Sequence, residues 1–148
     1  MMKSALLSTA LLLLSTPVLA QHGGHDGHGS SDEDAVKAVI VDGYIVGMHV
    51  NRDADAARAA LHPEFIMHVS RDGNVRQVTI DQWTSRLSGE KNENEVTYEF
   101  DWVDVTDAVA KAKLRVFVNG EHVFTDYMGL YKFDDGWKIV NKIFAGHR

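Results

Sequence analysis

Two polar side chains interrupt apolar faces near the end of this chain, and they are its clearest chemical lead. In residues 124–144, FTDYMGLYKFDDGWKIVNKIF, two strand-like runs flank Asp134-Asp135-Gly136. An Asp-Gly pair between alternating runs predicts a hairpin. Alternation puts Phe124, Asp126, Met128 and Leu130 on one face of the first run. On the second run it puts Trp137, Ile139, Asn141 and Ile143 together, with Lys138, Val140, Lys142 and Phe144 opposite. Asp126 and Asn141 are then polar anchors among apolar neighbours, the usual composition of a small-molecule site. Asp126 is the first candidate for acid–base work and His68 the second. Tyr44 and Tyr98 are candidates to donate to a developing oxyanion, and Trp83 is a candidate ligand contact. The alternative is an Asp–Asn pair that only fixes strand register.

Composition narrows the classes of function. The chain has 148 residues, enough for one domain with a core. Residues 1–20 carry a single charge, Lys3, then an apolar run, then Val18-Leu19-Ala20. That pattern is a secretory signal peptide, whose run is too short to span a bilayer, and it predicts a periplasmic or secreted protein starting at Gln21. The formal charge of −6, without a basic cluster, argues against nucleic acid or an anionic membrane as partner. There are no cysteines, so stability rests on the core. No Ser-His-Asp spacing, phosphate-binding glycine loop or metal-ligating pair one helical turn apart occurs in the folded part, and no cofactor is expected. The segment that follows the leader, QHGGHDGHGS, is a flexible linker by composition. Its His22, His25 and His28 are weak metal candidates, because no fixed ligand geometry is implied.

These residues need elements to position them. Acidic residues at 32–34 open a first helix, with Val36, Val39, Ile40, Gly43, Tyr44 and Gly47 on one side. Two glycines one turn apart each cost roughly 1 kcal/mol relative to alanine, so a close backbone approach or room beside Tyr44 is expected to compensate. Asp53 caps a short second helix that ends at His62-Pro63. Residues 65–70 and 75–79 form a strand pair around Asp72-Gly73, and Thr79 with Gln82 is a capping box for a third helix carrying Trp83. Strands at 96–105 and 108–118 follow, the first with Val96, Tyr98, Phe100 and Trp102 on one face, and Asn119-Gly120 turns into the terminal hairpin. Helices first and an antiparallel meander after make an α+β architecture.

That order, ending in Asp135-Gly136-Trp137-Lys138-Ile139-Val140, resembles the nuclear transport factor 2-like (NTF2-like) superfamily. Phe124-Thr125-Asp126-Tyr127 followed by Trp137-Lys138-Ile139-Val140-Asn141-Lys142 resembles its branch of putative lumazine-binding, SnoaL-like proteins. The resemblance covers residues 34–144 and implies a cone-shaped, cystatin-like fold: a curved sheet around N-terminal helices, an apolar pocket, and dimerisation through the sheet. It also implies a carboxylate in the first strand of isomerase-type members, and Phe65-Ile66-Met67-His68-Val69 lacks one. The expectation is therefore a domain at 34–148, behind a linker at 21–33, that binds a small apolar or aromatic molecule. The alternatives are a cofactor-free lyase or isomerase in the same pocket, or a module that only dimerises or docks a partner. Tyr127, Tyr131 and Phe133, beside Phe117, are the surface expected to form a homodimer.

Overall fold

Tight turns set the frame. Asp72-Gly73 and Asn119-Gly120 both place their two central residues at positive φ (52° and 77°; 51° and 81°), the backbone that a two-residue hairpin requires. The computed structural model describes residues 29–147. The leader and His22, His25 and His28 lie outside the described residues.

Helix α1, Gly29–Val39, begins five residues before position 34, inside the stretch expected to be linker. It runs on as a π-wound helix, Ile40–Val50, whose end is closed by Asn51 N–H donating to Val46 O at 2.8 Å. Helix α2 is Ala54–Ala60, and its Asp53 cap accepts from Asp55 and Ala56 N–H. A Cβ built at Gly43 would collide with Ala60 Cβ, and one at Gly47 would lie 3.1 Å from Ala56 Cβ. Close approach of α2 is thus what the two glycines provide. Helix α3, Ile80–Thr84, opens on the Thr79–Gln82 capping box.

Six strands form one sheet: β1 Leu61–Arg71, β2 Asn74–Thr79, β3 Val96–Thr106, β4 Val109–Val118, β5 Glu121–Phe133 and β6 Gly136–Gly146. Their order is β2-β1-β6-β5-β4-β3. All neighbours are antiparallel except β1 and β6, a parallel pair, so the sheet is not the pure meander expected. The core lies between the helices and one face of this curved sheet. Val36, Ile40, Tyr44 and Ile45 meet Phe65, Met67, Leu114, Val116, Met128, Leu130 and Ile139 there. We call this face inner.

The register shifts at several places, and two of these β-bulges move residues expected on the inner face. On β6, Leu130 pairs with Ile139 but Gly129 pairs with Asn141, so Val140 is an extra residue. Trp137 and Ile139 face inward as expected, but beyond Val140 the sides exchange. Lys142 and Phe144 turn in; Asn141 and Ile143 turn out. On β3, Phe100 pairs with Leu114 and Trp102 with Lys113, so Asp101 is extra and Trp102 moves to the outer face.

Candidate active site

One residue of the π-wound helix and two of the sheet meet beneath the helices. Asp126 on β5 pairs with Phe144, and Lys142 on β6 pairs with Met128, so Asp126 and Lys142 are diagonal neighbours on the inner face. The Tyr44 hydroxyl donates to Asp126 Oδ2 at 2.6 Å and accepts from Lys142 Nζ at 2.7 Å. Lys142 Nζ also stands 2.8 Å from Asp126 Oδ1. That last contact is an ion pair, and Oδ1 has no other polar partner among the described residues. The side chains of Lys142 and Asp126 are 5% and 0% exposed.

Aromatic rings enclose the ammonium. Its Nζ lies 4.5 Å from the ring centre of Phe144, 4.7 Å from Tyr44, 5.2 Å from Trp83 and 5.7 Å from Phe124. Trp83, Phe124 and Phe144 each keep part of their surface in solvent, so the charge is one ring from the outside. Trp83 stacks on Phe65 at 5.4 Å, and Arg58 of α2 holds α3 in place by donating to Asp81 and Thr84. His49, one π-turn after Tyr44, packs edge-on against the Tyr44 ring at 4.7 Å, with its Nε2 buried and unpartnered among the described residues.

The electrostatics follow from burial. Desolvation, then the Asp126 charge, then its hydrogen bond to Asp126 hold the Tyr44 hydroxyl well above the usual phenol range. Desolvation pushes the Lys142 ammonium below the usual lysine value, against the opposing pull of Asp126. His49 is pushed down to about 4, first by burial and then by the Lys142 charge, with Asp126 opposing. His49 is therefore neutral near pH 7. A neutral imidazole, a phenol that keeps its proton and an amine that releases one more readily than usual share one apolar enclosure with a carboxyl group. That set can hold and move protons around a small polar group.

Some residues expected at the site are elsewhere. Asn141 is on the outer face because of the Val140 bulge, with its amide against Gly129, where a Cβ would lie 2.8 Å from its Oδ1. His68, paired with Gln77 on β2 and Ile143 on β6, is also outside, its Nε2 3.4 Å from Gln77 Nε2. His68, Trp102, Tyr127, Asn141 and Ile143 line an open groove of about 360 Å³ on that face. Tyr98 sits on edge strand β3, 38% exposed, with its ring against Phe100. Tyr44, Trp83 and Asp126 are brought together. Lys142 and His49 were not among the residues expected at the site. The available signal for Lys142 was Gly129, since a lone glycine inside a strand marks a bulge or a close approach. Among the described residues no group of three or more His, Asp or Glu is placed to hold a metal.

Residues 31–145 match the family described as putative lumazine-binding. An aldolase, FrzH, of Cladobotryum sp is 28% identical over 119 residues, covering 80% of this chain and 94% of the relative. Two solved NTF2-like proteins share the fold. The one from Silicibacter pomeroyi DSS-3 has a TM-score of 0.67 at 17% identity, over 80% of this chain and 98% of that one. The other, from Shewanella baltica OS155, has a TM-score of 0.66 at 19% identity, over 80% of this chain and 96% of that one. At these identities the two structures speak to fold alone.

Proposed function

This chain belongs to the putative lumazine-binding family of the NTF2-like superfamily, and we propose that it performs cofactor-free acid–base chemistry on a small carbonyl compound of the aldol or retro-aldol class. The observation that carries this reading is the contact of Asp126, Tyr44 and Lys142 at 2.6–2.8 Å inside an aromatic enclosure. A protein that only bound an apolar molecule would gain nothing from a buried lysine, which costs desolvation energy even when paired. Retro-aldol cleavage needs the two things this site holds. A base takes the proton of the β-hydroxyl, a role for Asp126, and a donor meets the charge developing on the carbonyl oxygen, a role for Tyr44 or Lys142. The aldolase relative supports the same reaction class.

The test is cleavage of 4-hydroxy-4-phenylbutan-2-one, followed by release of benzaldehyde. Wild type is expected to exceed buffer, and Asp126→Asn to lose about 10²–10⁴-fold with its circular dichroism kept. Equal rates in the two proteins, or no release by wild type, contradict the reading.

Two further parts of the proposal concern where and in what state the protein works. The signal pattern in residues 1–20 supports export to the periplasm or beyond, checked by the intact mass of protein from its native host. Trp102, Tyr127, Tyr131 and Ile143 are each at least 40% exposed on the outer face, which supports a homodimer through the sheet. Tyr127→Lys is expected to give a folded monomer in solution scattering; a monomeric wild type overturns that part.

A further inference from the structure

We propose that Lys142 is the covalent nucleophile of this site, forming an iminium with an aldehyde or ketone held under Trp83 and Phe144. This deepens the acid–base reading above and rests on it. Among the described residues Lys142 is the only buried lysine. Its Nζ touches the two groups that amine addition requires, Tyr44 Oη at 2.7 Å and Asp126 Oδ1 at 2.8 Å. Burial favours its neutral form, the nucleophilic one.

The step balances within the site. Asp126 takes the ammonium proton, and the freed nitrogen lone pair attacks the carbonyl carbon to give a carbinolamine. A nitrogen proton passes to the carbinolamine oxygen, which leaves as water on taking up the proton held by Asp126, and a C=N⁺ bond remains. In a β-hydroxy ketone the next base-assisted step breaks the carbon–carbon bond. Its electrons pass to the iminium nitrogen as an enamine, and an aldehyde departs. Protonation and addition of water then release the ketone and restore the amine.

Two features suit this chemistry better than a structural ion pair. The iminium keeps the positive charge, so the rings and carboxylate that surround the ammonium also surround the adduct. One buried polar atom beside this cluster, His49 Nε2, has no hydrogen-bond partner among the described residues, and its ring packs against Tyr44. A carbinolamine hydroxyl is a group that can meet it.

The experiment uses acetylacetone, a 1,3-diketone that condenses with a neutral amine to an enaminone absorbing in the near ultraviolet. The full-length mature protein is expected to form one chromophore per chain at neutral pH. Lys111→Arg, on the outer face, should keep it and Lys142→Arg should lose it. Because Lys142→Arg is able to disturb the core, wild type is also treated with acetone and borohydride, which reduces an acetone iminium to an isopropyl adduct, and mapped by peptide mass; the adduct should sit on Lys142. An adduct mapped to another lysine overturns the proposal. So does absence of a chromophore, and melting temperature then separates the two readings. Stabilisation by acetylacetone without a chromophore leaves a carbonyl-binding site whose amine is not the nucleophile. Neither stabilisation nor chromophore removes the carbonyl site as well.

Discussion

Two lysine–aspartate pairs in this molecule have the same separation and opposite character. Lys113 on β4 lies 2.8 Å from Asp101 on the outer face, and Lys142 on β6 lies 2.8 Å from Asp126 on the inner face. Lys113 and Asp101 are 27% and 21% exposed and share a network with Arg115 and Glu99. There the hydrogen bond to Asp101 dominates, so the Lys113 ammonium is held above its ordinary value, while Lys113 and Arg115 hold Asp101 below its own. Inside, the same attraction is present but desolvation is larger, and Lys142 shifts down. The difference teaches that a pair's distance does not fix its chemistry. Water access does, and it turns one lysine into a surface ion and the other into a candidate reagent.

The strongest way to break this comparison is to remove one carboxylate from each pair. Asp126→Asn leaves a buried ammonium without its counter-charge and should cost about 3–5 kcal/mol in denaturant unfolding near neutral pH. The loss should shrink as pH rises and Lys142 gives up its proton. Asp101→Asn should cost far less, with salt reducing the difference further. Equal losses in the two variants would mean that the inner pair is solvated like the outer one.

Acid sharpens the same contrast. His49 is held near 4 in the folded protein, against about 6.5 for a free imidazole, so the unfolded chain takes up the proton first. Its contribution is present above pH 6.5 and is lost as pH falls through the window to about 4, by up to about 3 kcal/mol. His49→Phe, which removes the titrating group and its orphaned nitrogen, should flatten stability over that window. A slope unchanged in this variant would assign the acid sensitivity to other groups.

A smaller effect is expected at the phenol. Tyr44→Phe removes one hydroxyl that bonds Asp126 and Lys142 at once and should cost about 1–3 kcal/mol. The ring still packs against His49 and Trp83, so the helix should stay folded by circular dichroism. A neutral substitution would show that Lys142 and Asp126 hold each other without it.

Much of this frame is legible in the residues because its signals are local. The Asp-Gly and Asn-Gly turns, the Asp53 cap and the Thr79–Gln82 box each depend on a few consecutive positions, and each has the geometry its residue types require. Alternation puts Asp126 on the inner face of β5, where it is buried, and helical spacing carries Tyr44 toward it. Lys142 is illegible by the same method, because one extra residue at Val140 exchanges the faces of everything after it. The bulge depends on a partner strand, on Gly129 leaving room for the Asn141 amide, and that pairing is not written in β6 itself. Asp101 does the same to Trp102. His49 escaped because a π-wound helix changes which residues share a side, so a reading at 3.6 residues per turn does not bring it to Tyr44.

The most direct test is titration of the lysine side chains by heteronuclear NMR on protein labelled at lysine, with Lys142→Arg and Lys113→Arg used to assign the two signals. Lys142 is predicted to titrate below the ordinary 10.5 and Lys113 above it. The two signals should therefore cross the ordinary value in opposite directions. If Lys142 titrates at or above Lys113, burial does not govern the inner pair, and its reading as the reactive amine fails.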